Sequence, residues 1–131
     1  EGGYKSVVVA NFERLLRHER PTIYGDGKQA LDYVYVEDVV DALIMLADRA
    51  HDGLVSNIGT GRAVSVGELT EMMLTISRQD LEPLSCPPDW TAGSVRVADT
   101  KLARDTLGWT ATTTMEDGLA RVWDSLKGTD G

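Results

Sequence analysis

Apolar residues recur along this chain with two different periods, and each period marks out a different kind of element. Tyr4, Val7, Val8, Phe12, Leu15 and Leu16 fall on one helical face, and Pro21 closes the segment. A second helix is expected from near Asp38, with Val39, Val40, Leu43, Ile44, Leu46 and Ala47. Ser65 and Glu68 form a capping box ahead of a third, which carries Val66, Leu69, Met72, Met73 and Ile76. A short fourth helix is capped by Asp99 or Thr100 and stopped by Gly108. The last begins at Thr114 and carries Leu119, Val122, Trp123 and Leu126.

Strands are expected between them, at Thr22–Tyr24, Tyr33–Val36, Leu54–Ile58, Leu81–Cys86 and Val95–Ala98. Helices alternating with strands predict an α/β domain with some parallel pairing. The reading is of one domain over 1–126 and a polar, flexible tail over 127–131. Pro83 to Gly93 reads as a long loop, and Met72 and Met73 as core fillers.

Composition narrows the classes. With 42% hydrophobic and 26% charged residues the 131-residue chain reads as a soluble globular domain. Neither a membrane span nor a signal peptide is visible. The net charge of −8 argues against nucleic acid, whose binding needs a basic surface. Arg14, Arg17, His18 and Arg20 cluster late in the first helix, where positive charge complements the helix dipole. The single cysteine, Cys86, rules out an internal disulfide and fits a reducing cytoplasm. The chain opens at Glu1 without a methionine, as an excised piece or a fragment of a longer gene product would.

No complete catalytic constellation is legible from the residues alone. Gly25-Asp26-Gly27 is explained as a turn. Gly59-Thr60-Gly61 follows an expected strand, but its third glycine, Gly67, comes too late for a dinucleotide fingerprint, so a plain turn into the helix is expected. Tyr24 and Lys28 spell Y-x-x-x-K, yet the glycines between them prevent the helix that would put both on one face. The pairs Glu37/Asp38 and Glu116/Asp117 sit in first helical turns. His18 and His51, without associated cysteines, make no recognisable metal site.

The order of segments carries more. A helix reading SVVV-x-x-F-x-R-L-L precedes PTIYGDGKQALDYVYVEDVVDAL, followed by VSNIGTG, SVGEL, VADTKLARDTLGW and MEDGLARV. Together they resemble the C-terminal, substrate-binding part of the NAD-dependent epimerase/dehydratases, extended short-chain dehydrogenases, along nearly the whole chain. The resemblance implies a small α/β substrate-binding subdomain whose Rossmann half is missing. It implies that NAD serves the parent enzyme and that this chain holds no cofactor and lacks the catalytic tyrosine and lysine. A nucleotide-sugar is the implied ligand, with Thr22 and Tyr24 along the base and Gln29 following the turn.

Two departures stand out against that family. Its GDG-x-Q-x-R-D has Leu31 in place of the arginine, and its R-x-G-D is here Thr91-Ala92-Gly93-Ser94. Both diphosphate clamps are therefore replaced, and Arg96 is the candidate substitute. Losing such contacts costs on the order of 2–5 kcal/mol for each desolvated pair. A non-catalytic binding or interaction module derived from the family is the competing reading, and a merely structural fragment a third. Partnership with a separate N-terminal Rossmann half, or self-association, is expected from the edge that Leu54–Ile58 would expose.

Overall fold

The computed structural model describes residues 7–49, 59–101 and 103–130. The first-helix position Tyr4, the strand expected at Leu54–Ile58 and His51 lie outside them. The chain forms two compact units rather than one. Unit 1 draws on Glu1–Gln29, Ser65–Ser94 and Leu119–Gly131, and unit 2 on Ala30–Val64 and Val95–Gly118.

In unit 1, α1 (Val7–Leu16) buries Asn11, Phe12 and Leu15. Strand β1 (Thr22–Tyr24) follows, after α1 unwinds through His18 in the left-handed region. Helix α3 (Val66–Ser77) has both halves of its capping box: Ser65 Oγ accepts the Glu68 N–H, and Glu68 accepts the Ser65 N–H. It buries Val66, Leu69 and Met73, one helical face as the period requires. Strand β4 (Leu84–Cys86) pairs in parallel with β1, Thr22 opposite Leu84 and Tyr24 opposite Cys86. Helix α4 (Met115–Asp130) starts in unit 2 and continues in unit 1, where Trp123 meets Phe12 at 5.1 Å between ring centroids.

In unit 2, β2 (Ala30–Leu31) lies between β3 (Val64–Ser65) and β5 (Val95–Arg96). Its pairing with β5 is parallel, Leu31 opposite Arg96. Helix α2 (Val36–Arg49) packs Ala42 into a cluster with Ala103 and Trp109, joined by Val34, Met45 and Leu46. Trp109 Nε1 donates to the Asp38 carbonyl at 2.9 Å, and the Asp38 carboxylate accepts from Thr113 N and Thr112 Oγ1. Asp38 is almost fully buried. Burial would raise its pKa, but these donors outweigh that and lower it.

Several expected elements fall differently. The strand at Tyr33–Val36 is absent, and α2 begins at Val36. The β2–β5 ladder ends because the next inward N–H, that of Ala98, donates to the Asp32 carboxylate and not to a backbone carbonyl. The same bond shortens the expected Val95–Ala98 strand to Val95–Arg96. Leu81–Cys86 contracts to Leu84–Cys86, the length over which β1 offers a partner. The fourth helix is a π-helical turn over Ala103–Leu107, with Asp99 accepting the Lys101 N–H and Gly108 at φ 71° closing it. The tail expected to fray from residue 127 instead continues α4 to Asp130, with Lys127 over the Trp123 ring and near Asp124.

Candidate functional site

The turn Gly25-Asp26-Gly27 is held by conformation and by one side chain. Both glycines have positive φ, 82° and 73°, and Asp26 Oδ1 accepts the Lys28 N–H. A methyl group at Gly27 would come within 3.2 Å of Ile23 Cγ2 and 3.5 Å of the Gly67 backbone. The strands on either side of this turn do not pair with each other: β1 runs with β4, and β2 with β5. Tyr24 and Lys28 therefore flank a tight turn and share no helical face.

Four of the six sequence-derived candidates lie in unit 1. Thr22 is committed to the fold: its N–H and hydroxyl donate to Asn11 Oδ1, and its carbonyl accepts from Asn11 Nδ2. Tyr24 is 44% exposed at the end of β1. Gln29, 95% buried by its 5% exposure, reaches back to donate from Nε2 to the Tyr24 carbonyl at 2.9 Å and to Thr91 Oγ1 at 3.4 Å. Thr91 in turn gives its hydroxyl and N–H to Asp89 Oδ1. Tyr24, Gln29 and Thr91 are thus one connected set. The Thr91 donors hold the Asp89 carboxyl below its ordinary pKa, so this loop carries a negative charge where the family resemblance led to expect an arginine.

The other two candidates, Leu31 and Arg96, meet in unit 2 as register partners on adjacent parallel strands. Partners in parallel register project to the same side of a sheet, a strand spacing apart. Among the described residues no hydrogen bond or ion pair engages the Arg96 side chain, and Leu31 is 37% exposed.

Sequence reasoning passed over Asp32. Its carboxylate accepts from Thr60 N at 2.9 Å, Thr60 Oγ1 at 2.5 Å, Gly61 N at 2.8 Å and Ala98 N at 3.2 Å. Burial raises its pKa, but these four bonds together bring it below the ordinary value. The glycine loop Gly59-Thr60-Gly61 therefore points its amides at a carboxylate of the protein itself. An anionic phosphate has no place there, which agrees with the turn expected from the missing third glycine. Asn11 was also missed; a buried asparagine on an apolar helix face was its only signal.

A groove of about 770 Å³ in unit 1, lined by Leu15, His18, Arg78, Gln79, Trp123 and Lys127, contains none of the six candidates. Among the described residues no three His, Cys, Asp or Glu side chains are grouped to hold a metal ion. No described helix is long and apolar enough to cross a membrane.

Residues 1–59 match the NAD dependent epimerase/dehydratase family. UDP-glucose 4-epimerase of Mycolicibacterium smegmatis is 36% identical over 123 residues, 92% of this chain and 38% of that protein. The structure of UDP-glucose 4-epimerase from Thermotoga maritima with UDP-glucose superposes with a TM-score of 0.90 at 34% identity, over 99% of this chain and 42% of that one. MoeE5 in complex with UDP-glucose and NAD gives 0.83 at 35% identity, over 96% and 42%. The chain spans about two fifths of the length of these relatives.

Proposed function

The chain belongs to the NAD dependent epimerase/dehydratase family, and from that premise we propose that it is the part that seats the nucleotide-sugar substrate. The observation that carries this reading is the Tyr24–Gln29–Thr91 set. A buried amide ties the end of an exposed-aromatic strand to the loop after β4, so both are presented as one rigid surface. Within unit 1, Tyr24 would lie along a base. Within unit 2, Arg96, which no hydrogen bond or ion pair engages among the described residues, would be the candidate phosphate contact in place of the arginine that Leu31 displaces.

Redox chemistry is assigned elsewhere. NAD supplies hydride transfer in such enzymes, but the residues here do not fit it: the Gly59-Thr60-Gly61 amides are already spent on Asp32. Nor do Tyr24 and Lys28 share the helical face that proton exchange needs. This chain's part is to bind and orient. NAD, and the Tyr/Lys pair, would come from a separate Rossmann half.

The exposed row Val36, Val40, Leu43 and Ile44 along α2 supports such a partner, or a second copy of the chain. Cys86, the one cysteine, supports a cytoplasmic setting. A non-catalytic module descended from the family is the second reading, favoured by Leu31 and Thr91 standing in the clamp positions.

Isothermal titration of the chain with UDP-glucose tests the first reading. Saturable binding, competed by UDP, is expected. A chain that releases no heat with UDP-glucose, UDP or dTDP-glucose is not the substrate-binding part, and the interaction-module reading then stands.

A further inference from the structure

We propose that Trp90 is a stacking platform on which unit 1 seats the nucleobase of its ligand. This rests on the nucleotide-sugar reading above and adds to it a residue that the family resemblance does not assign.

Trp90 is 77% exposed, whereas Trp109 and Trp123 are 2% and 8% exposed. An indole is the largest apolar side chain, and packing one normally removes 150–250 Å² from water, as a general magnitude of about that size. Here it stands in solvent on a loop that is held from both ends. Asp89 Oδ1 accepts the Thr91 N–H and hydroxyl, the Ala92 N–H donates to the Asp89 carbonyl, and Ser94 donates twice to the Thr91 carbonyl. On the other side Pro88 lies 3.5 Å from where a Gly25 side chain would begin, and the Gly25 N–H donates to the Cys86 carbonyl.

These ties join the Trp90 loop to the segment that carries Tyr24. Gly25 follows Tyr24 directly, and Gln29 bridges the Tyr24 carbonyl to Thr91, the residue after Trp90. Two exposed aromatics thus flank one buried amide. A loop ordered in advance loses little freedom when a ring lies on it, so most of the contact energy is kept as affinity.

Charge decides what kind of group the loop can take. Between Pro87 and Ser94 the sole ionisable side chain is Asp89, held as a carboxylate by its Thr91 donors. A phosphate gains nothing from such a loop. A flat uncharged ring does, because base–aromatic stacking needs no counter-charge. The hexose of a nucleotide-sugar also has an apolar face, but it lacks the π surface that favours the base.

The experiment uses the whole chain, its tryptophan emission and three probes: UDP-glucose, UMP and glucose 1-phosphate. Since only Trp90 among the three tryptophans is exposed, acrylamide quenching reports mainly on it. UDP-glucose and UMP are expected to shield it, and glucose 1-phosphate to leave it open. By calorimetry, Trp90→Ala should weaken UDP-glucose binding about tenfold to a hundredfold, the range of a lost stack, and Trp90→Phe should keep most of the affinity. Equal affinity in wild type and Trp90→Ala, with unchanged circular dichroism, overturns the role of Trp90 and leaves the substrate-binding reading intact. Shielding by glucose 1-phosphate and not by UMP overturns the assignment to the base. A wild-type chain that binds none of the three overturns both.

Discussion

Leu31 and Arg96 are direct register partners across the parallel β2–β5 pair. The position where the family resemblance calls for an arginine is thus one strand away from an arginine whose side chain has no hydrogen-bond or ion-pair partner among the described residues. Moving a guanidinium across one ladder step displaces its root by about 4.8 Å, less than the length of the side chain. A charge-assisted bond to phosphate contributes about 1.5–3 kcal/mol, so Arg96→Ala should weaken UDP-glucose binding by at least tenfold. The double variant Leu31→Arg/Arg96→Leu should bind about as well as wild type. Titration calorimetry on the two variants checks this, and an Arg96→Ala chain with unchanged affinity removes Arg96 from the site.

The same register makes a stability prediction. Like charges directly opposite one another on a sheet are unfavourable, by roughly 0.2–1 kcal/mol. Leu31→Arg alone should therefore lower the urea midpoint slightly in the absence of ligand, and UDP should raise it more than in wild type. A midpoint unchanged by the substitution and by UDP would show that the two side chains do not share a face.

Features set by near neighbours were legible in the chain, and those set by distant partners were not. The Ser65–Glu68 box could be read because its two halves are three residues apart. The Gly25-Asp26-Gly27 turn could be read because positive φ is a property of glycine itself. Tyr33-Val34-Tyr35-Val36 alternates as a strand should, yet a strand also needs a ladder. That ladder is cut off by Asp32 taking the Ala98 N–H, a bond spanning 66 positions. Of the candidate site, the Gln29–Thr91 bond spans 62 positions, and the Leu31–Arg96 register crosses from one strand to another. The resemblance named these residues, but which of them meet is a matter of the fold. The helical tail was missed because Gly128 and the polar residues around it read as coil, whereas Lys127 packs over Trp123.

Asp32 should make unit 2 sensitive to acid. Its folded pKa lies below the unfolded one because Thr60, Gly61 and Ala98 donate to the carboxylate more than burial opposes it. A lowered folded pKa adds stability above the unfolded value, about 3.9, and that stability is lost as pH falls through the folded value. Asp32→Asn should lower the melting temperature at pH 7 and show a smaller loss than wild type as the pH falls from about 5 through the folded value. Parallel melting curves for both chains would mean that Asp32 titrates alike in the folded and unfolded states.

The exposed row on α2 predicts association. Val36, Val40, Leu43 and Ile44 recur at helical spacing and remain 45–64% exposed. A Val40→Lys/Leu43→Glu variant should give a smaller species than wild type in light scattering across a range of concentrations, with the helical signal unchanged. Wild type that is monomeric throughout would leave a separate Rossmann half as the partner, to be tested by mixing the two.

Gly27 is the point at which fold and site depend most on one backbone conformation. Its φ of 73° lies in the left-handed region, and an added methyl would press on Ile23 Cγ2 at 3.2 Å and lie 3.5 Å from the Gly67 backbone. The Gly67 N–H donates to the Gly27 carbonyl, and the Val66 N–H to the Gln29 carbonyl, so the start of α3 hangs on this turn. Left-handed backbone costs a residue with a side chain roughly 1–2 kcal/mol, and the crowding adds to it. Gly27→Ala should therefore destabilise the chain by about 2 kcal/mol or somewhat more, read as a lower urea midpoint. It should also weaken UDP-glucose binding at temperatures where the chain is still folded, because Gln29 is positioned by the turn. Asp26→Ala, which removes only the bond to Lys28, is the control: it should cost about 0.5–1.5 kcal/mol and leave affinity unchanged. If Gly27→Ala lost stability and kept full affinity, Gln29 would be holding the fold together without shaping the ligand surface.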